Sequence, residues 1–251
     1  MTLYARDARH LVELAARRGR MLIVGYPFNY APHALRAREL MHSGRLGVVQ
    51  FVSCTFSSRV IDLFRGGGTS QGAMFPVHGP GAVYSQPALS GGGQGHLQLT
   101  HAAGLLFFVT GLRAATVLAR MQNHGLPVDL VDAMVVDFED GALGTVGSTG
   151  NGYLAGLDLQ IHCEYGSIDL DMITPGLTVR GPDGAPEEPG SEADDPARRF
   201  APHYNLVDVI LARGDNGSPA EAGCRTVEML DAAYRSAERG GEAVTIAELY
   251  V

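Results

Sequence analysis

The stretch LDLQIHCEYGSIDLDM, Leu157 to Met172, decides the fold class. From Leu157 to Glu164, the residues Leu157, Leu159, Ile161 and Cys163 alternate with Asp158, Gln160, His162 and Glu164. Successive side chains of a strand point to opposite faces, so the first four share one face and the second four the other. Tyr165-Gly166 turns the chain into a second strand, Ser167 to Met172. One apolar and one polar face is the pattern of an antiparallel sheet covered on one side only.

The same pattern extends upstream. Leu130 to Phe138 and Ala142 to Ser148 flank Asp140-Gly141, a hairpin signal. Val48 to Ser57 and Ala114 to Met121 read as further strands. Helical spacing predicts Ala5 to Arg18, with Leu11, Leu14 and Ala15 on one face, and Pro32 to His42, ended by Ser43-Gly44. Between these helices, MLIVGY (Met21 to Tyr26) reads as a strand buried on both faces, as in a parallel sheet. A Gly-rich segment, Arg65 to Gly95, leads into a helix over Gln94 to Val109. Gly181 to Pro202 is a mobile surface loop by composition, and His203 to Arg213 and Ala220 to Arg239 are closing helices. The expected fold class is α+β: an open, mainly antiparallel sheet with helices on one face, preceded by a helix–strand remnant. Residues 1–45 hold this helix–strand–helix fragment, and 46–251 form the main domain.

Composition removes several functions. The net charge is −8 and the basic residues form no stripe, so nucleic acid and anionic membrane are poor partners. The longest apolar run, Leu105 to Val109, cannot span a bilayer. The first 20 residues are charged, with no apolar core and no small-residue cleavage site, so a cytoplasmic location is expected. Cys54, Cys163 and Cys224 are too scattered for a disulfide framework or a metal site and read as small buried apolar residues. No metal site is expected elsewhere, since His96 and His101 do not share a helix face. All 19 basic residues are arginine. Arginine is a poor proton shuttle, and without lysine there is neither a Schiff base nor a lysine acid. Acid–base work falls to His, Tyr, Asp, Glu or Cys.

Five stretches, in order, resemble the C-terminal portion of the Gfo/Idh/MocA family, the glucose–fructose oxidoreductase and inositol dehydrogenase type. They are VGYPFNYAP (Val24 to Pro32), HALRARELMHSGRLGVVQFVSC (His33 to Cys54), SGGGQGHLQLTHAAGLLFFVTG (Ser90 to Gly111), HYNLVDVILARG (His203 to Gly214) and AEAGCRTVEMLDAAYRSAERGGEAV (Ala220 to Val244). The resemblance implies a linker helix, a Gly44–Gly47 turn, an active-site helix after a Gly-rich turn, and closing helices. It also implies an upstream dinucleotide-binding domain ending in a Glu-Lys-Pro motif. Met1-Thr2-Leu3 resembles the residues directly after that motif. The chain is therefore expected to lack the nucleotide domain and the catalytic lysine, with residues 1–45 as the remnant of that Rossmann domain. The glycines at Gly66 to Gly68 and Gly91 to Gly93 do not follow the βαβ order of a pyrophosphate site. No cofactor is expected on the isolated chain, although the full-length family uses NAD or NADP.

The resemblance implies a site on the helix after Ser90 to Gly95. His101 holds the family's His position, while Leu97 stands where the family has an Asp. Gln98, and Gln94 a turn earlier, lie on nearly the same face, and one or the other is expected within hydrogen-bonding reach of His101, which is expected to line the main pocket. His101 is either a pocket residue or a satisfied, partly buried histidine. His78 and Tyr84 lie in the Gly-rich segment; Tyr84 either orients a hydroxylated substrate or pins the loop. Asn29 and Tyr30 fall where the family faces its cleft, and Tyr204 and Asn205 where it often places substrate contacts; Asn205 has a helix cap as its other reading. His96 is expected exposed or capping.

Three functions follow. The chain is the substrate half of a truncated oxidoreductase acting on a sugar-, cyclitol- or cyclic-ketone-like molecule. Alternatively it is a cofactor-independent lyase, isomerase or cyclase using His101 with Tyr84 or His78. Or it is a non-catalytic dimerisation or scaffold partner of a full-length homologue. Whether it is an enzyme alone stays open. A homodimer or higher oligomer is expected, because the Met21 to Tyr26 strand would otherwise be bare.

Overall fold

A computed structural model of the chain describes residues 1–66, 81–187 and 199–251. The helices are α1 (Ala5–Arg17), α2 (Pro32–His42), α3 (Ile61–Phe64), α4 (Pro87–Ser90), α5 (Thr100–Thr110), α6 (Ala201–Ile210) and α7 (Ala220–Glu238). The strands are β1 (Val49–Arg59), β2 (Ala114–Gln122), β3 (Val131–Phe138), β4 (Leu143–Thr149), β5 (Asn151–Cys163), β6 (Gly166–Asp171), β7 (Gly176–Arg180), β8 (Pro186–Glu187) and β9 (Val244–Thr245). They form one nine-stranded sheet in the order β8-β7-β6-β5-β1-β4-β3-β2-β9. β1 and β4 pair in parallel and the other neighbours are antiparallel.

The alternation in β5 sets the layers. Leu157, Leu159, Ile161 and Cys163 are buried, while Asp158, Gln160, His162 and Glu164 are exposed. Across the ladder Ile161 faces Val52 and Ile168, and Leu159 faces Cys54 and Leu170. α5 fills the layer above. Its residues Ala102 to Val109 are all buried, as expected for a helix apolar on every side and enclosed between the sheet, α2 and α7. Each large side chain buried there contributes about 1.5–3 kcal/mol. α1 docks on α7, where Asp231 accepts the first helical amide, from Ala5, at 2.9 Å.

Three local expectations change. Met21 to Tyr26 forms a single bridge, Ile23 to Pro219, in place of a strand. The Val24 amide donates to the Ser218 carbonyl at 3.1 Å, but Pro219 has no N–H to continue a ladder. The helix expected over Gln94 to Val109 is two pieces, a π-helical turn at Gly95–Leu99 and then α5. The chain also adds β7 and β8 beyond the Leu157 to Met172 hairpin.

Candidate functional site

His101 lies in the first turn of α5, where the helix emerges from the core. Tyr26 and Phe28 wall it edge-on, with ring centroids at 5.9 and 6.2 Å and rings nearly perpendicular. The Tyr26 hydroxyl lies 3.2 Å from Thr100 Oγ1, and its ring lies against Gly104, where a Cβ would come within 2.7 Å. Gly104 thus admits the ring that shields His101. The imidazole keeps some exposure, but its Nδ1 is sealed from solvent without a hydrogen-bond partner. Burial pulls its pKa down to about 4. The ring is therefore neutral near pH 7, suited to hydrogen bonding and weak as a general base.

The Gly-rich turn before α5 is closed by a carboxylate. The Gly93 and Gly95 amides donate to the two carboxylate oxygens of Asp129 at 2.7 and 2.9 Å, and the Tyr234 hydroxyl donates to Asp129 Oδ1 at 2.9 Å. A Cβ on Gly92 or Gly95 would meet the Tyr234 hydroxyl at 2.2 or 2.6 Å, and one on Gly93 would meet the Asp129 carbonyl at 2.1 Å. These glycines are required by packing. The Gly93 and Gly95 amides, which in a phosphate-binding turn would face the ligand, face Asp129, so this turn does not fit a nicotinamide pyrophosphate. Asp132, the first inward residue of β3, is 2% exposed and accepts from Ser148 Oγ at 2.8 Å. Burial, and then the Asp129 charge, push its carboxyl up to about 8.

The structure brings some expected residues together and separates others. Tyr30 donates to Asn205 Oδ1 at 3.0 Å; the same oxygen accepts the Gly217 amide at 3.0 Å, and Asn205 Nδ2 donates to the Asp215 carbonyl at 2.8 Å. Asn29 is fully buried and donates to Ser218 Oγ at 3.1 Å. These contacts tie α6 to the turn at Pro27–Tyr30, whose Phe28 faces His101. Tyr204 is exposed on α6. Gln94 is fully buried near Gly150, Phe64 and Leu130, its amide atoms unpartnered. It makes no bond to His101 Nδ1, because the π-helical turn widens the spiral and moves Gln94 off the His101 face. Gln98 is half-buried. Tyr84 lies at the exposed margin in the turn Gly81–Ser85, which packs on α3. His78 lies outside the described residues. His96, expected to be exposed or capping, instead stacks on Tyr234 with ring centroids 4.5 Å apart and 6° between planes. The shielding pair Tyr26 and Phe28, and the Asp129–Asp132–Tyr234 group, were not anticipated.

A concave feature lies remote from His101. An open depression of about 480 Å³ on the outer face of the sheet is lined by Leu118, Arg120, Ala133, Val135, Thr145 and Gly147, among others. Phe51, Leu118, Val135 and Leu143 leave exposed apolar surface on this face.

The sheet leaves one face bare and is covered on the other by helices, of which α5 carries the sheltered His101 in its first turn. The family model described as the GFO/IDH/MocA C-terminal domain matches residues 34–169, more than half of the chain, and the chain belongs to that family. Among solved structures, an aldose-aldose oxidoreductase from Caulobacter crescentus complexed with glycerol matches with TM-score 0.75 and 19% identity, over 98% of this chain and 70% of that one. Levoglucosan dehydrogenase in complex with NADH and L-sorbose matches with TM-score 0.79 and 15% identity, over 98% and 71%. GenD2 from gentamicin A biosynthesis in complex with NAD matches with TM-score 0.71 and 25% identity, over 97% and 69%. No protein of curated function matches the chain. Among the described residues, no helix is long and apolar enough to cross a membrane.

Proposed function

We propose that this chain is the substrate-binding half of a GFO/IDH/MocA oxidoreductase, acting on a sugar-, cyclitol- or cyclic-ketone-like molecule, and that it holds no nicotinamide nucleotide by itself. The observation that carries the reading is the pairing of a sheltered, neutral His101 with a Gly-rich turn whose amides already face Asp129. Family membership and the sugar-related names of the structural neighbours support it. His101 offers a neutral imidazole to a substrate hydroxyl, with Gln98 and Tyr204 as further polar contacts. Tyr30 and Asn205, bonded to each other, and Asn29 and Gln94, without exposed surface, shape the walls. Tyr84 and His78 are assigned as further contacts to the substrate. A pKa of about 4 suits His101 to binding more than to cofactor-free acid–base turnover at neutral pH.

The test is NMR of the histidine ring signals during titration with a panel of sugars, cyclitols and cyclic ketones. A saturable shift of the His101 signal is expected, together with backbone amide shifts that are lost in His101→Ala. Shifts unaffected by that substitution would remove His101 from the site.

The exposed apolar face around Phe51, Val135 and Leu143 supports self-association, either of this chain or with a full-length homologue. Sedimentation should show a dimer that Val135→Glu dissociates. A concentration-independent monomer would contradict this.

A further inference from the structure

We propose that Asp129 and Asp132 form a proton-held clasp on the Gly93–Gly95 turn, which fixes the start of the His101 helix at neutral pH and releases it in alkaline solution. The clasp joins three distant parts of the chain. Asp129 precedes β3 and collects the Gly93 and Gly95 amides and the Tyr234 hydroxyl of α7. The Gln94 amide adds a fourth tie, to the Asp129 carbonyl at 3.0 Å. The π-helical turn begins at Gly95 and runs directly into α5, so the clasp anchors the piece of backbone that ends in His101.

Asp132 makes the clasp conditional. Its side chain is on the inward face of β3, in phase with Leu130, Met134 and Val136, where a charge is costly. Ser148 donates to Oδ2, no donor reaches the buried Oδ1, and the Asp132 carboxyl lies within hydrogen-bonding reach of Asp129. Two adjacent buried carboxylates cannot both ionise cheaply, so one keeps a proton. Three donors converge on the Asp129 oxygens and one on Asp132, whose carboxyl pKa is raised by burial, so Asp132 carries the proton.

The facing groups offer no compensation. From α7 come Tyr234, whose hydroxyl burial and Asp129 hold well above its usual range, and the more distant Asp231. From the π-helical turn comes His96, which burial holds neutral at pH 7, and the chain's amino-terminal ammonium acts on it only at longer range. Gln94 and Ser148 are neutral. Among the described residues no arginine pairs with either carboxylate. Loss of the Asp132 proton, near about pH 8, leaves two like charges together, and Asp129 must give up donors or admit water.

Amide hydrogen exchange on the whole chain tests this without a substrate. Rates are corrected for intrinsic chemical exchange and followed from about pH 6 to about pH 10, either side of the Asp132 transition. In the wild type, protection at Gly93 to Leu99 should fall by roughly tenfold or more across that range, while Leu105 to Val109 stays protected. Asp132→Asn, a neutral isostere, should abolish the alkaline loss. Asp129→Asn should be unprotected in this turn at every pH. If Asp129→Asn does not fold, the comparison of wild type with Asp132→Asn decides alone. A flat wild-type profile, or an Asp132→Asn profile that follows the wild type, overturns the proposal.

Discussion

α5 and α6 both touch the turn at Pro27–Tyr30, and both are rich in apolar residues, yet they differ in what covers them. Eight consecutive residues of α5, Ala102 to Val109, are buried. No residue of α6 is buried, and Tyr204 and Ile210 are 62% and 72% exposed. α5 is held by packing on every side. α6 is held largely through Asn205, which meets Tyr30, Gly217 and Asp215, while Tyr204, Val207 and Ile210 form an uncovered stripe at helical spacing. The difference teaches that similar apolar content serves two purposes in this chain. In α5 it builds the core that seats His101; in α6 it leaves a surface that favours cover.

The largest effect expected from breaking this comparison is in α5. Phe107→Ala should cost about 3–5 kcal/mol in chemical denaturation, because it leaves a cavity in the sealed layer. A loss below about 1 kcal/mol would show that α5 is not the stabilising element. Asn205→Ala removes three hydrogen bonds and should cost about 1–3 kcal/mol. Its signature is local, with faster amide exchange in α6 and unchanged protection in α5. Equal loss of protection in both helices would refute the separation.

The acid limb sharpens the account of the α5 start. The unfolded chain takes up a proton on His101 near the ordinary value of about 6.5. The buried ring resists it until about 4, so its contribution is present above the first value and lost as pH falls toward the second. His101→Gln should therefore lose less stability than the wild type between those values. Parallel acid limbs would contradict the burial of the ring. The smallest effect is expected on the α6 stripe, where Ile210→Ser should change stability by no more than about 0.5 kcal/mol. A larger loss would mean that the stripe packs against the chain itself.

The strands and their faces were legible because a period of two is a local property. The hairpins at Asp140-Gly141 and Tyr165-Gly166, the boundaries of α2, and the buried row from Leu157 to Cys163 can be read without knowing what lies above them. The π-helical turn was not legible, since placing Gln94 and Gln98 beside His101 assumes regular helical spacing. Met21 to Tyr26 has the composition of a strand, but strand formation depends on a neighbour, and its neighbour here is Pro219. The helix over Gln94 to Val109 is legible in the residues themselves, while the role of His101 on it comes from the family resemblance. Asp132 carries a local signal: a carboxylate in the inward phase between Leu130 and Met134 must be protonated or partnered. Asp129 and Tyr234 are 105 positions apart in the sequence, so no local pattern joins them.

Calorimetric titration of the chain with NAD(H) and NADP(H) tests the central claim most directly. Because the Gly93 and Gly95 amides already face Asp129, the account predicts no saturable heat with either nucleotide. A dissociation constant in the micromolar range for the chain alone would contradict it.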